Sequence, residues 1–234
     1  MQDNAKCGKA QDAVFAETEG NAWFRRNAAA LSDTGRGDPM LDMVGRLSPD
    51  RRAAIRSICD IGCASAERLN RLRTVLPNVA RPCGFDASAE AVAAGSARFP
   101  DLILRQGLAG DPPFDGPFDL VTIGFVLHWV DRRLLARTIA AIDSLLAEGG
   151  TLILTDFLPD RPCARRYHHR DDVDLFTYKQ DYARAFTGLG LYREVARVTF
   201  DHSDSLQAAS PSHDQERAVC AMLVRTCDYP EIAA

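Results

Sequence analysis

Ser57-Ile58-Cys59-Asp60-Ile61-Gly62-Cys63-Ala64-Ser65-Ala66-Glu67-Arg68-Leu69 decides how this chain is organised. It begins as an apolar run, meets an acidic residue, passes through small residues and continues with helix formers. That order predicts a buried strand, a tight turn and a helix start, where backbone N–H groups face a ligand. Asp60 narrows the ligand. A carboxylate beside the turn repels a pyrophosphate but suits a molecule carrying an ammonium group.

Working outward, strand one is predicted at 54–61. The helix after the turn places Leu69, Leu72, Val75 and Leu76 on one face. Strand two follows at 79–85, ending in Asp86, and a helix at 88–99 is stopped by Pro100. Strands three and four fall at 102–105 and 118–125. Asp131 is the expected cap of a long helix that turns Leu134, Leu135, Ile139, Ile142, Leu145 and Leu146 inward. Gly149-Gly150 ends that helix, and 151–157 is strand five. Strands alternating with helical crossovers at this pace predict a parallel, doubly wound sheet. Apolar runs at 193–200 and 217–225 are expected to close it as an antiparallel pair at one edge. Between them and strand five, 159–174 reads as an irregular polar insertion and 182–189 as a short helix.

Ahead of the sheet, 15–31 reads as a helix and Pro39 opens another with Met40, Leu41, Met43, Val44 and Leu47. Both are too short to bury a core alone. The expected organisation is therefore an N-terminal helical cap, 1–50, and one domain, 51–234, with a lid or substrate insertion at 159–182.

Composition limits the function. The chain has 234 residues, enough for one α/β domain, and a net charge of −4, which gives no basic footprint for nucleic acid. No apolar run approaches the roughly 18–20 residues that span a membrane, and the N-terminus lacks a signal-peptide core. Seven cysteines without pairing motifs suit a reducing cytoplasm. Cys59 and Cys63 are three residues apart, but no Cys/His pair follows at a fitting distance, so no metal is expected. A nicotinamide dehydrogenase would need G-x-G-x-x-G, of which only Gly62 stands.

Ligands of such sheets sit beyond the strands' carboxyl ends. Asp86, at the second strand's tip, is suited to accept both hydroxyls of a ribose. Together Asp60-Ile61-Gly62, Gly84-Phe85-Asp86-Ala87-Ser88, Pro113-Phe114…Phe118-Asp119-Leu120-Val121 and Leu145-Leu146-Ala147-Glu148-Gly149-Gly150-Thr151-Leu152 resemble the ordered motifs of class I methyltransferases dependent on S-adenosylmethionine (SAM). The resemblance implies a Rossmann-like class I methyltransferase fold: a mostly parallel seven-stranded sheet with an antiparallel C-terminal strand. It implies that Gly62, Cys63 and Ala64 pass beneath the methionine part, with Asp60 near its amino group. Asp86 would hold the ribose, Ala87 and Leu108 would flank adenine, and Gly124 and Phe125 would approach the sulfonium. Arg26 is expected to reach the methionine carboxylate. Ala64 and Ala66 stand where the family carries glycines. Since alanine resists positive φ, the turn is expected to use negative φ there or to distort.

Five further stretches resemble a bacterial small-molecule subgroup linked to surface-glycan, flagellin-sugar or natural-product modification. They are Trp23-Phe24-Arg25-Arg26-Asn27, Gly124 through Arg132, Asp156-Phe157-Leu158-Pro159, Tyr167-His168-His169 and Tyr178-Lys179-Gln180-Asp181-Tyr182. The expected reaction is methyl transfer to an oxygen or nitrogen of a small polar metabolite. His169 is the first choice as base, with His128 and Tyr178 behind it. Trp23, Trp129, His168, Lys179 and Tyr182 are expected around the substrate; if the segment is helical, Tyr178 and Tyr182 share one face. The alternative is a SAM- or nucleoside-binding module without turnover. Expected partners are a small molecule only, with neither nucleic acid nor membrane; a homodimer is left open.

Overall fold

The structure, a computed structural model, describes residues 11–32, 37–203 and 216–226. One seven-stranded sheet runs in the order β3-β2-β1-β4-β5-β9-β8. Its strands are β1 (Ser57–Ile61), β2 (Arg81–Asp86), β3 (Ile103–Gln106), β4 (Phe118–Gly124), β5 (Leu146–Phe157), β8 (Tyr192–Asp201) and β9 (Arg217–Arg225). The first five are parallel, and β9 lies antiparallel between β5 and β8. The final pair is therefore antiparallel as expected, but the later strand is the inner one. Its side chains are almost entirely buried, whereas β8 is alternately exposed. This is the mostly parallel seven-stranded sheet that the resemblance implies.

Helices α5 (Glu67–Val75), α6 (Ala89–Arg98) and α7 (Leu135–Ser144) make the crossovers. On α5, Leu69 and Leu72 are buried, but Val75 is exposed rather than on the inward face. Asp131 does not cap α7, which starts at Leu135 without a side-chain cap bond; its carboxylate instead accepts from the Arg133 N–H and guanidinium. The two glycines expected to separate α7 from the fifth strand lie inside β5, Gly149 at φ +71°. Residues 49–54, read partly as strand, form α4 (Pro49–Ala54), with Ser48 as N-cap and Pro49 in its first turn.

Above the strands' carboxyl ends lie α1 (Gln11–Val14), a π-helical turn (Phe15–Glu19), α2 (Gly20–Ser32) and α3 (Pro39–Gly45). Gly20 is bare because a Cβ would meet the Phe15 carbonyl at 2.8 Å and the Ala87–Ser88 backbone at 3.2 Å. That closeness seats α2 on the β2–α6 turn, where Asn21 Oδ1 accepts from Ser88 Oγ at 2.8 Å and from the Glu90 N–H at 3.2 Å.

The insertion is more regular than its composition suggested. β6 (Cys163–Arg166) and β7 (Phe176–Lys179) pair antiparallel, followed by α8 (Ala183–Thr187). Tyr178 is thus on a strand, so it and Tyr182 do not share a helical face. The N-terminal helices grip this hairpin. Gln11 donates to the carbonyls of Trp129 and Phe176, and its Oε1 accepts from the Phe176 N–H at 2.9 Å. Fully buried Glu19 accepts from Tyr167 at 3.0 Å and from Arg26, and faces Arg170 at 3.5 Å. Among the described residues no helix is long and apolar enough to cross a membrane.

Candidate functional site

Strand order reverses between β1 and β4, and there a cavity of about 400 Å³ opens beyond the strand ends. Its floor includes Gly62 and Gly124, its roof Phe15, Trp23 and Asn27, and its far side Asp86, Ala87 and Leu108. A side chain at Gly62, where φ is +70°, would collide with Val126. Gly124 is bare for a different neighbour: a Cβ there would stand 2.7 Å from Nη1 of Arg68.

The turn between β1 and α5 corrects the expectation about its alanines. Ala64 and Ala66 both adopt the left-handed conformation, at φ 47° and 66°. The surroundings over-determine them. The N–H groups of Gly62 and Cys63 donate to the Phe85 carbonyl at 2.8 and 3.1 Å, and that of Ala66 to the Cys63 carbonyl at 2.8 Å. Ala64 donates to Asp86 Oδ2 at 2.9 Å. Phe125, also on the cavity wall, is the third non-glycine residue with positive φ among the described residues, at 56°. Two of these three strained residues line the cavity, as backbone strain at functional sites commonly does.

Asp86 has two duties. Its Oδ1 accepts from the Ser88 N–H at 2.8 Å and Oδ2 from Ala64, while Ser88 itself caps α6. A carboxylate offers about four lone-pair sites, so capacity remains on both oxygens. Burial pushes the Asp86 carboxyl up from its usual value. Around it, Phe85, Ala87, Gly107, Leu108 and Ala109 form a slot at the same end of the cavity.

Asp60 does not reach the cavity. It is fully buried, its Oδ1 accepting from Thr122 Oγ1 at 2.7 Å and from Arg68 Nη2 and Nε at 3.1 and 3.3 Å. Its Oδ2 is buried and, among the described residues, without a hydrogen-bond partner. Desolvation pushes its carboxyl up. Arg68 stands between it and the cavity and lines the wall itself, with Asp38 and Met40 beside it.

The other expected site residues divide. Gly62, Cys63, Ala64, Asp86, Ala87, Leu108, Gly124, Phe125, Trp23 and Trp129 all line the cavity. Arg26 does not; Glu19 and Tyr167 hold its guanidinium. Tyr182 is a fully buried core side chain whose hydroxyl donates to the Tyr178 carbonyl and accepts from Arg132 at 2.9 Å. Lys179 is buried, its Nζ 3.5 Å from the centre of the Phe157 ring. Tyr178 packs under Arg132, 4.6 Å from its ring centre, rather than on the cavity wall. His168 and His169 are exposed and stacked on each other at 3.9 Å, with Tyr167 beneath them; neither lines the cavity.

His128 is placed differently. Its ring is buried directly behind Phe125 and Trp129, with Nδ1 2.9 Å from Asp156 Oδ1. Asp156 also accepts from the N–H groups of His128 and Phe157, at 3.2 and 2.8 Å. Among the cavity residues that escaped the sequence reading are Arg68, Arg71, Asp38 and His202. Arg68 and Arg71 are three apart on the first turns of α5, hence on one side of it, and both line the cavity. His202 follows β8, which runs parallel to β5 because each is antiparallel to β9. Its ring meets those of Phe125 and Phe157 at 4.8 and 4.9 Å.

Comparison with known proteins agrees with this architecture. A family profile described as "Methyltransferase domain" matches residues 28–209. An uncharacterized methyltransferase of Synechocystis is 36% identical over 74 residues, 31% of this chain and 35% of that protein; the match thus spans about a third of that curated relative. The 1,6-didemethyltoxoflavin-N1-methyltransferase of Burkholderia thailandensis superposes with a TM-score of 0.68 at 12% identity, covering 96% of this chain and 93% of that one. The N-methyltransferase NodS of Bradyrhizobium japonicum, in complex with S-adenosyl-L-homocysteine (SAH), gives 0.59 at 17%, covering 88% and 97%. The chain belongs to the methyltransferase-domain family, and its fold is that of the class I SAM-dependent methyltransferases.

Proposed function

We propose that the protein transfers the methyl group of SAM to an oxygen or nitrogen of a small polar metabolite, of the sugar or natural-product type. The observation that carries this reading is a roofed cavity at the strand ends whose two sides differ chemically. One side pairs the Asp86 carboxylate with the slot beside Ala87 and Leu108; the other is walled by Phe125, Trp129 and His202. The residues fit the cofactor: a carboxylate for vicinal hydroxyls, a slot for a base, and an Arg68–Asp38 pair for a zwitterion. A volume of about 400 Å³ is of small-molecule size. The two structural neighbours named above methylate nitrogen, by their titles, and fit the reading.

Bound SAM supplies an electrophilic methyl group on a cationic sulfonium. Asp86 accepts the ribose hydroxyls, and Gly62, Cys63, Ala64 and Gly124 allow close backbone approach. Phe125 and the two tryptophans exclude water from the transfer site and orient the acceptor, which is most of what an in-line displacement requires. His128 takes the acceptor's proton. With Asp156 holding Nδ1–H, Nε2 is the ring's proton acceptor. His169 is exposed and Tyr178 packs under Arg132, whereas the His128 ring lies directly behind the wall residues Phe125 and Trp129, so His128 takes precedence over them. The helices of 1–50 and the 159–182 insertion act as the cap and lid of the 51–234 domain. A cytoplasmic location and the absence of nucleic-acid and membrane partners complete the proposal.

Incubating the protein with methyl-labelled SAM and a metabolite extract, then identifying the labelled product by mass spectrometry, tests it. A labelled small metabolite is expected. His128→Asn should lower turnover by about 10²–10⁴-fold with SAH affinity unchanged, whereas His169→Ala should keep turnover. SAH binding without any labelled product would favour the binding-module alternative.

A further inference from the structure

We infer that Arg68 and Asp38 clamp the aminoacyl end of the cofactor, Arg68 taking its carboxylate and Asp38 its ammonium. This rests on the SAM reading of the cavity and reassigns the two contacts first expected of Arg26 and Asp60. Arg26 is held away by Glu19 and Tyr167. Asp60 lies behind Arg68, its Oδ1 taken and its Oδ2 buried.

Arg68 has what a carboxylate site needs. Among the described residues its hydrogen bonds both end on Asp60 Oδ1, made by Nε and Nη2. A guanidinium has five N–H donors, so the Nη1 edge remains, and that nitrogen lies over Gly124 in space any Cβ would take. The side chain is 21% exposed and lines the cavity. Asp60 therefore fixes a cation at the floor instead of presenting an anion. Asp38, on the same wall, uses Oδ1 to accept the Met40 N–H at 2.9 Å, and among the described residues Oδ2 is left for a cationic group. The Arg68 guanidinium beside the Asp60 and Asp38 carboxylates, with Arg71 also on the wall, presents both charge signs and so suits a zwitterion.

Calorimetric titration of the full chain with three ligands isolates each contact. SAH carries both charges, its decarboxylated analogue only the amine, and 5′-methylthioadenosine neither. The wild type should bind SAH about 10- to 100-fold more tightly than the decarboxylated analogue, the size of a charge-assisted bond. Arg68→Lys, which keeps the charge facing Asp60 but loses the fork, should weaken SAH by about tenfold or more and leave the other two within about twofold. Asp38→Asn should weaken SAH and the amine analogue alike and spare methylthioadenosine.

Equal wild-type affinity for SAH and its decarboxylated analogue would overturn the carboxylate assignment, whether or not the variants fold. Equal weakening of all three ligands by Arg68→Lys would reduce Arg68 to a structural partner of Asp60. A wild type that binds none of the three would remove the SAM reading itself, a different failure.

Discussion

At Ala64 and Ala66 the backbone pays for a shape that glycine would take freely. Left-handed φ costs an L-residue about 1–2 kcal/mol. The Ala66 methyl, fully buried among Leu69 and its neighbours, offsets roughly 0.8 kcal/mol of that. Ala66→Gly should therefore change stability by less than about 1 kcal/mol, whereas Ala66→Val should cost about 1–3 kcal/mol. Denaturant unfolding checks both, and a harmless valine would contradict the observed φ. Asp86→Ala should weaken SAH binding by about 1–3 kcal/mol; unchanged affinity would remove it from the ribose. Asp86 was legible as a cavity residue because it ends its strand, at the carboxyl edge of the sheet. Arg68 was not, because its importance depends on which flank of α5 faces the cavity, and the periodicity of Leu69 and Leu72 fixes only the buried flank.

The elements divide along the same physical line. β1, β2, β4 and the second half of β5 are buried on both faces, so their apolar runs announced them within a few residues, while the partly exposed start of β5 at 146–150 was read as helix. β6 has all four residues exposed and so no alternation to read. It exists because it pairs with β7, whose Phe176 is held by Gln11, and no local pattern carries that. The clamp around Glu19 joins these same elements. Glu19→Ala would leave Arg26, Arg170 and the Tyr167 hydroxyl without their shared acceptor. Burial and Glu19 push the Tyr167 hydroxyl up to about 12. Limited proteolysis of Glu19→Ala should cut within 159–182 faster than in the wild type, and an unchanged digestion pattern would show that the clamp does not hold the insertion.

For the molecule as a whole, strand order rather than strand content locates the site. The strand order, with the reversal between β1 and β4 that opens the cavity, comes from the structure, but the five parallel strands themselves were legible. Placing β9 inside β8 was not, and that swap brings His202 to the cavity wall beside Phe125. The same limit applied to His128 and His169. Both follow strands on the correct side of the sheet, but only burial against Asp156 separates a held imidazole from two exposed ones. A ligand bridging the β1–α5 turn, Asp86 and the N-terminal helices ties together elements distant in sequence, so its binding free energy appears as stability. The most direct measurement is thermal unfolding with and without SAH, paired with calorimetry. Binding at one site per chain is expected, with about 2.7 kcal/mol of added stability at a hundredfold excess over Kd. No heat and an unmoved unfolding midpoint at millimolar SAH would contradict a nucleoside cradle built on left-handed alanines.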